Sequence, residues 1–226
     1  IEVCAIASGS NGNCYYVGNE TDAVLIDVGI NCKQIFLRMA ERGLDIHKIR
    51  AVFLTHEHSD HCIGAKVVCG RLKIPSYSTA GTYNALSYAR KPRNHYNIKA
   101  HESVRIGQLE ITPFPKMHDA QQPCSYVVSH NQTHIGVMTD IGSECVHVAK
   151  YISQCHVLLL ESNYDDEMLQ TGPYPFILKR RIAGDHGHLS NKQAVELVEK
   201  HASNQLHTIM LTHLSGENNT IDKAME

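Results

Sequence analysis

The segment Thr55-His56-Glu57-His58-Ser59-Asp60-His61 puts three imidazoles and a carboxylate within six consecutive positions. Neutral imidazole and carboxylate oxygen are good ligands for zinc, manganese and iron. One ion cannot easily take all four groups from so short a loop, so the natural reading is two divalent ions. A surface histidine cluster without metal is the bland alternative in a chain that holds 16 histidines. Three histidines and an aspartate at these fixed offsets arise by chance in about one chain in a hundred or fewer, which puts the metal first.

Such a loop needs rigid elements to aim it. A short buried strand, Arg50 to Thr55, runs directly into it. Upstream, the β-rich runs Val3 to Ala7, Cys14 to Val17 and Ala23 to Asp27 alternate with turn residues and read as an antiparallel meander. Asn31 can cap a helix punctuated by Ile35 and Met39, and Gly43 is placed to end it near Arg42. Beyond the loop, helical character from Gly64 to Leu72 stops by Pro75. A second meander covers Ser103 to Ile106, Leu109 to Pro113, Ser125 to Ser129 and His134 to Met138. A helix near Glu144 to Ser153, a strand His156 to Leu160 and a helix within Pro175 to Ile182 follow. Ser190 and Gln193 form a capping box for a helix from Asn191 to Ala202, and the strand His207 to Thr212 delivers His213 at its carboxyl end. With no internal repeat and no linker, residues 1–226 read as a single α/β (α+β) domain of sheets sandwiched by helices.

The bulk numbers exclude several classes. A composition 42% hydrophobic and 19% charged is that of a folding chain, not a disordered one. A net charge of -2 offers no global basic field for nucleic acid, so any such contact must be local. No apolar run reaches bilayer length and no charged-then-apolar leader is visible, which suggests a cytoplasmic protein without membrane contact. The eight cysteines have no regular spacing and no CxxC, so free thiols are expected, Cys62 beside the loop among them as a buried structural thiol.

The THxHxDH run after a strand resembles the signature of the metallo-β-lactamase superfamily, and the likeness extends along the chain. Leu25-Ile26-Asp27-Val28-Gly29 resembles the early strand whose aspartate supports the metal loop, and Met138-Thr139-Asp140-Ile141-Gly142 resembles the strand supplying a bridging carboxylate. His118 in Lys116-Met117-His118-Asp119 and His213 in Leu211-Thr212-His213-Leu214-Ser215 match the remaining ligands in order. Ala7-Ser8-Gly9-Ser10-Asn11-Gly12-Asn13-Cys14 and His213-Leu214-Ser215-Gly216-Glu217-Asn218-Asn219 are more specific still, and look like the YycJ/WalJ branch. The resemblance implies an αββα sandwich of two mixed sheets with two metals at one edge. It also implies a DNA exonuclease acting from the 5′ end.

Carried over residue by residue, His56, His58 and His118 hold one ion, Asp60, His61 and His213 the other, and Asp140 bridges. Two such cations lower the pKa of a shared water toward neutrality and stabilise the attacking and leaving oxygens of a phosphoester, with the bound hydroxide as nucleophile. Asp60 and His188 are the candidate catalytic residues. Gly187-His188-Leu189-Ser190 resembles the histidine that follows the ligand set in ribonuclease Z, where it would meet the phosphate or protonate the leaving oxygen, although His186 could substitute. Asp27 reads as a carboxylate orienting a histidine, and Glu161, at a strand end, either orients a ligand or caps a loop. Arg90, Lys91 and Arg93, flanked by Tyr88 and Tyr96, are the stronger of two basic clusters for a phosphate backbone, the other being Lys179-Arg180-Arg181.

The expected substrate is therefore a DNA end, with a small cyclic phosphodiester as the nearest competitor and thioester or lactone cleavage further off. A diiron oxygen reductase on this fold would carry glutamate where His58 stands. The interval from Asp140 to His213 is too short for the large inserted domain of the superfamily's end-processing nucleases, and the segment from His61 to His118 shows no long basic arm such as transfer-RNA processing enzymes use.

Overall fold

A computed structural model describes residues 1–226. Two six-stranded sheets lie face to face. The first takes its strands in chain order: β1 (Glu2–Ala7), β2 (Cys14–Gly18), β3 (Ala23–Ile26), β4 (Ile49–Phe53), β5 (Ser76–Ser78) and β6 (His95–Asn97). It is antiparallel as far as β3 and parallel from β3 to β6. The second holds β7 (Val104–Ile106), β8 (Leu109–Pro115), β9 (Cys124–His130) and β10 (Thr133–Met138) as a meander. The strands β11 (Val157–Glu161) and β12 (Thr208–Thr212) extend it in parallel.

In the central strands near-continuous apolar runs are buried on both faces, successive side chains entering opposite layers. In β3, Val24 and Ile26 enter the layer between the sheets with Tyr15, Phe53, Ile111, Tyr126 and Val137. Ala23 and Leu25 turn the other way, onto Ile35 and Met39 of α1 (Cys32–Glu41). The second sheet repeats the scheme, with Leu159 of β11 facing inward and Leu158 and Leu160 facing out. Each fully buried leucine or isoleucine of this kind stabilises the fold by roughly 1.5–3 kcal/mol.

The remaining helices are α2 (Ser59–Cys62), α3 (Ala65–Leu72), α4 (Ala80–Ala85), α5 (Val146–Ile152), α6 (Asp166–Thr171), α7 (Phe176–Ile182), α8 (Asn191–His201) and α9 (Ile221–Met225). α1 and α3 cover the outer face of the first sheet, and α5 and α8 that of the second. This gives the αββα layering. Asn31 caps α1 by accepting from the Gln34 N–H, and both halves of the Ser190/Gln193 box are formed.

Several local expectations need correction. α3 ends at Lys73, whose φ of 55° puts it in the left-handed region, so the stop comes before Pro75. The segment between α3 and the second meander holds β5, α4 and β6, whose three-residue strands are too short to show a period. The helices α6 and α9, each shorter than two turns, carry no readable period either, and the histidine-rich loop contains the helical turn α2.

The carboxyl ends of β3, β4, β8, β10, β11 and β12 open onto a common edge, where Asp27, the His56–His61 loop, His118, Asp140, Glu161 and His213 follow them. Crevices beyond strand carboxyl ends are where sheet proteins place ligands. Gly29 draws the segments together there: its N–H donates to Asn13 O at 2.7 Å, and a Cβ on it would lie 1.5 Å from Asp60 O. Gly29→Ala should therefore cost about 1–3 kcal/mol, read as a lowered urea midpoint with an unchanged slope.

Candidate metal centre

Asp27, Asp140 and His213 each leave their strand with φ between 53° and 59°, a left-handed conformation uncommon outside glycine that aspartate, asparagine and histidine adopt more readily than other residues. Each turn swings a side chain sideways across the sheet edge. The strain is held by hydrogen bonds: Asp27 N donates to Phe53 O (2.8 Å) and His213 N to Ser8 Oγ (2.8 Å).

Four histidines share one mode of support. His61 Nδ1 donates to Asp27 Oδ2 (2.7 Å), His118 Nδ1 to Gly187 O (3.0 Å) and His213 Nδ1 to Glu161 Oε1 (2.7 Å). His56 Nδ1 meets Thr55 Oγ1 (2.9 Å), which itself donates to Asp27 Oδ2 (2.8 Å). With Nδ1 occupied, every one of them presents Nε2 to the same space. Fixing the far nitrogen of a histidine is how proteins orient metal ligands.

The candidate ligand atoms converge in overlapping sets, each within 4.8 Å: His56, His58 and His118; His56, His61 and Asp140; Asp60, His61 and His213. Asp140 is central, with carboxylate oxygens 3.2 Å from His61 Nε2, 3.8 Å from His118 Nε2 and 3.6 Å from His213 Nδ1. His56 Nε2, His213 Nε2 and Asp140 Oδ2 are buried without a hydrogen-bond partner. Leaving such groups unpaired costs roughly 1–3 kcal/mol each. Divalent ions between them would satisfy all three, so the residues present fit a two-ion centre.

The charges already balance one another. Burial alone would push the His213 imidazole down, but Asp140, Asp60 and Glu161 outweigh it and carry it up to about 10. His61 likewise rises against its burial through Asp140 and Asp27, whereas burial wins at His118 and lowers it to about 4. Asp140 would be raised by burial, yet His213, His61 and Lys116 hold it well below the carboxylate range.

Glu161 is buried completely and accepts four hydrogen bonds: Oε1 from His213 Nδ1 and from His188 Nδ1 (2.8 Å), Oε2 from Ile141 N (2.8 Å) and Leu189 N (3.1 Å). It therefore orients a histidine and fastens two loops at once. His188 reaches the cluster, with its ring centroid 5.2 Å from that of His213 and 5.4 Å from that of His118, while His186 is exposed.

Three groups at the centre escaped the sequence reading. Asn13 is fully buried with Nδ2 3.1 Å from His61 Nε2 and 3.5 Å from Asp60 Oδ2. Lys116 is sealed inside, donating from Nζ to Thr139 O (2.7 Å) at 3.9 Å from Asp140 Oδ2. Asp119 puts Oδ1 3.5 Å from His118 Nε2 and 3.9 Å from His58 Nε2, while its Oδ2 accepts from Arg181 Nε (2.6 Å). All three lie in the strings that carried the resemblance, but only the fold shows what they face.

Of the first basic cluster, Arg90 is half-buried with Nη1 3.9 Å from Cys62 Sγ, beside the metal loop. Lys91 is occupied by Asn84 O and the Tyr83 ring, and Arg93 faces a separate surface cavity of about 470 Å³ with Lys66 and Lys73. Arg181 of the second cluster is the cation tied to the centre through Asp119.

Residues 22–214 match the family model of the beta-lactamase superfamily domain. The chain belongs to this superfamily and is a metal-dependent hydrolase. It is 33% identical over 217 residues to exodeoxyribonuclease YycJ of Bacillus anthracis, covering 95% of this chain and 82% of that one. Exodeoxyribonuclease WalJ of Streptococcus pneumoniae is 31% identical over 219 residues, covering 95% and 81%. Among solved structures, the metallo-beta-lactamase fold protein YhfI from Bacillus subtilis superposes with a TM-score of 0.74 at 16% identity, over 99% of this chain and 89% of that one. No helix is long and apolar enough to cross a membrane.

Glu161→Gln keeps the shape but removes the charge that orients His213. Metal affinity should fall about 10- to 100-fold, measured by competition with a chromophoric chelator.

Proposed function

We propose that the chain is a two-metal phosphodiesterase that removes nucleotides from DNA ends, from the 5′ terminus. His56, His58 and His118 would hold one ion, Asp60, His61 and His213 the other, with Asp140 between them. Zinc and manganese suit these nitrogen and oxygen donors best, and iron is compatible. When bound, the ions supply the Lewis acidity that activates water and stabilises charge on the phosphate oxygens.

The observation that carries the reading is the Glu161–His188 pair against the ligand set. His188 Nδ1 donates a hydrogen bond to Glu161 Oε1, which leaves Nε2 free to face the departing oxygen. Burial would raise Glu161, but His188 and His213 lower it to about 2, so it stays ionised and holds the His188 ring in one orientation. Burial also opposes ionisation of Asp60, yet His213 and His61 keep it far below the carboxylate range. Its oxygens can therefore accept a hydrogen bond from the attacking water and hold it in line. DNA as the polymer is supported by the named relatives, which align with 95% of this chain.

Metal-loaded wild type should shorten end-labelled duplex DNA progressively, and His58→Ala should bind less metal and fail on the same substrate. His188→Ala should lower kcat about 10²- to 10⁴-fold with both metals retained by elemental analysis. Equal turnover by that variant would remove the role of His188, and cleavage of a bis-aryl phosphodiester without any loss of DNA ends would remove the exonuclease reading.

His61 and His213 hold protons in the metal-free protein at neutral pH because their pKa values are raised. Ligation requires them neutral, so metal affinity should rise with pH through the neutral range and loading should release protons. Calorimetry in two buffers of different ionisation enthalpy checks the sign.

A further inference from the structure

α7 has no buried residue. Phe176 and Ile177 are 72% and 83% exposed, and the last turn carries Lys179, Arg180 and Arg181. Exposed apolar surface interleaved with cations marks a contact site, and its charge fits a polyanion with faces that stack.

The helix is stitched to the metal centre at its carboxyl end. His188 N donates to Ile182 O (2.8 Å), and a Cβ on Gly187 would lie 2.1 Å from that same oxygen, so the loop bearing His188 runs against the last turn. Arg181 Nε is held by Asp119 Oδ2, whose sister oxygen stands beside His118 and His58. Neither terminal nitrogen of that guanidinium makes a hydrogen bond, and the side chain is 55% exposed.

On the other flank, α7 and α6 enclose a cleft of about 600 Å³ lined by Tyr164, Leu169, Phe176, Lys179, Arg180 and Ala183. Ligand clefts generally run from about 300 to 1,000 Å³. Lys179 Nζ donates to Gln170 O (2.7 Å) across it, and the Arg180 guanidinium lies 5.9 Å from the Phe176 ring centroid. Aromatic and cationic groups thus occupy one side of the helix, while the free guanidinium edge lies at the other, next to the cluster.

We propose that α7 holds the strand being digested, with Arg181 on a backbone phosphate at the mouth of the metal centre and an unpaired base stacked on Phe176. The proposal rests on the nuclease reading above. A planar guanidinium can receive two phosphate oxygens through its free nitrogens, and Asp119 keeps it aimed until one arrives. A base can stack only where its face is uncovered, so the preferred substrate has single-stranded nucleotides next to the cleaved bond. Base–aromatic stacking tolerates any sequence, which suits an enzyme that must pass every nucleotide in turn.

The test compares wild type with Phe176→Ala and Arg181→Ala on 5′-labelled duplex DNA, on 5′-labelled single-stranded DNA and on a bis-aryl phosphodiester. Metal content and melting temperature are taken on each protein. The ratio of kcat/KM on DNA to that on the small ester should fall about tenfold for each variant, through KM, and Arg181→Lys should restore only part of it. Ratios equal to wild type, with wild type digesting DNA, would overturn the role of α7 and leave the nuclease standing, α7 then being a surface for another partner. Wild type inert on DNA but active on the ester would overturn both.

Discussion

A carboxylate sealed from water must be compensated by the protein, and Glu161 meets that demand with hydrogen bonds from two imidazoles and two backbone N–H groups. The donors come from β12's carboxyl end, from the loop before α8 and from the turn that follows Asp140. Losing one of them would strand a buried charge, so these segments are held to a single arrangement. Asp27 does the same for the first sheet, taking bonds from Thr55 and His61. The two carboxylates stand behind the cluster, one in each sheet, and the histidines they hold define the space between.

Much of this was legible because chemistry and periodicity coincide. The His56–His61 run follows a strand whose apolar residues leave no doubt about burial, and the aspartate-glycine strings mark sharp turns after strands. Gly29 and Gly142 are glycines because backbone from elsewhere occupies their Cβ positions, Asp60 O in one case and Asp185 O in the other. What stayed hidden depends on distance through space. Asn13 lies 47 residues from Asp60 in sequence, and nothing local tells that its amide meets a histidine. Arg181 looked like part of a solvated charge run until Asp119, 62 residues away, was seen to hold it.

The division of labour between the sheets also explains the order of the candidate ligands. Both sheets change from antiparallel to parallel pairing along their length. Each parallel connection returns the chain to the same edge, so successive strands deliver successive side chains there. The left-handed turns at Asp27, Asp140 and His213 then bring those side chains inward instead of letting them continue along the strands.

The hydrogen bond from His213 N to Ser8 Oγ joins positions 205 residues apart. Ser8 follows the first strand and His213 the twelfth. A ribosome would have to release nearly all of this sequence before the two could meet, and contacts of such separation form late. Without His213 the second candidate ligand set is incomplete and Glu161 lacks one of its donors. A partly synthesised chain therefore lacks this tie between the two ends of the site, and the candidate metal centre closes only when both are present.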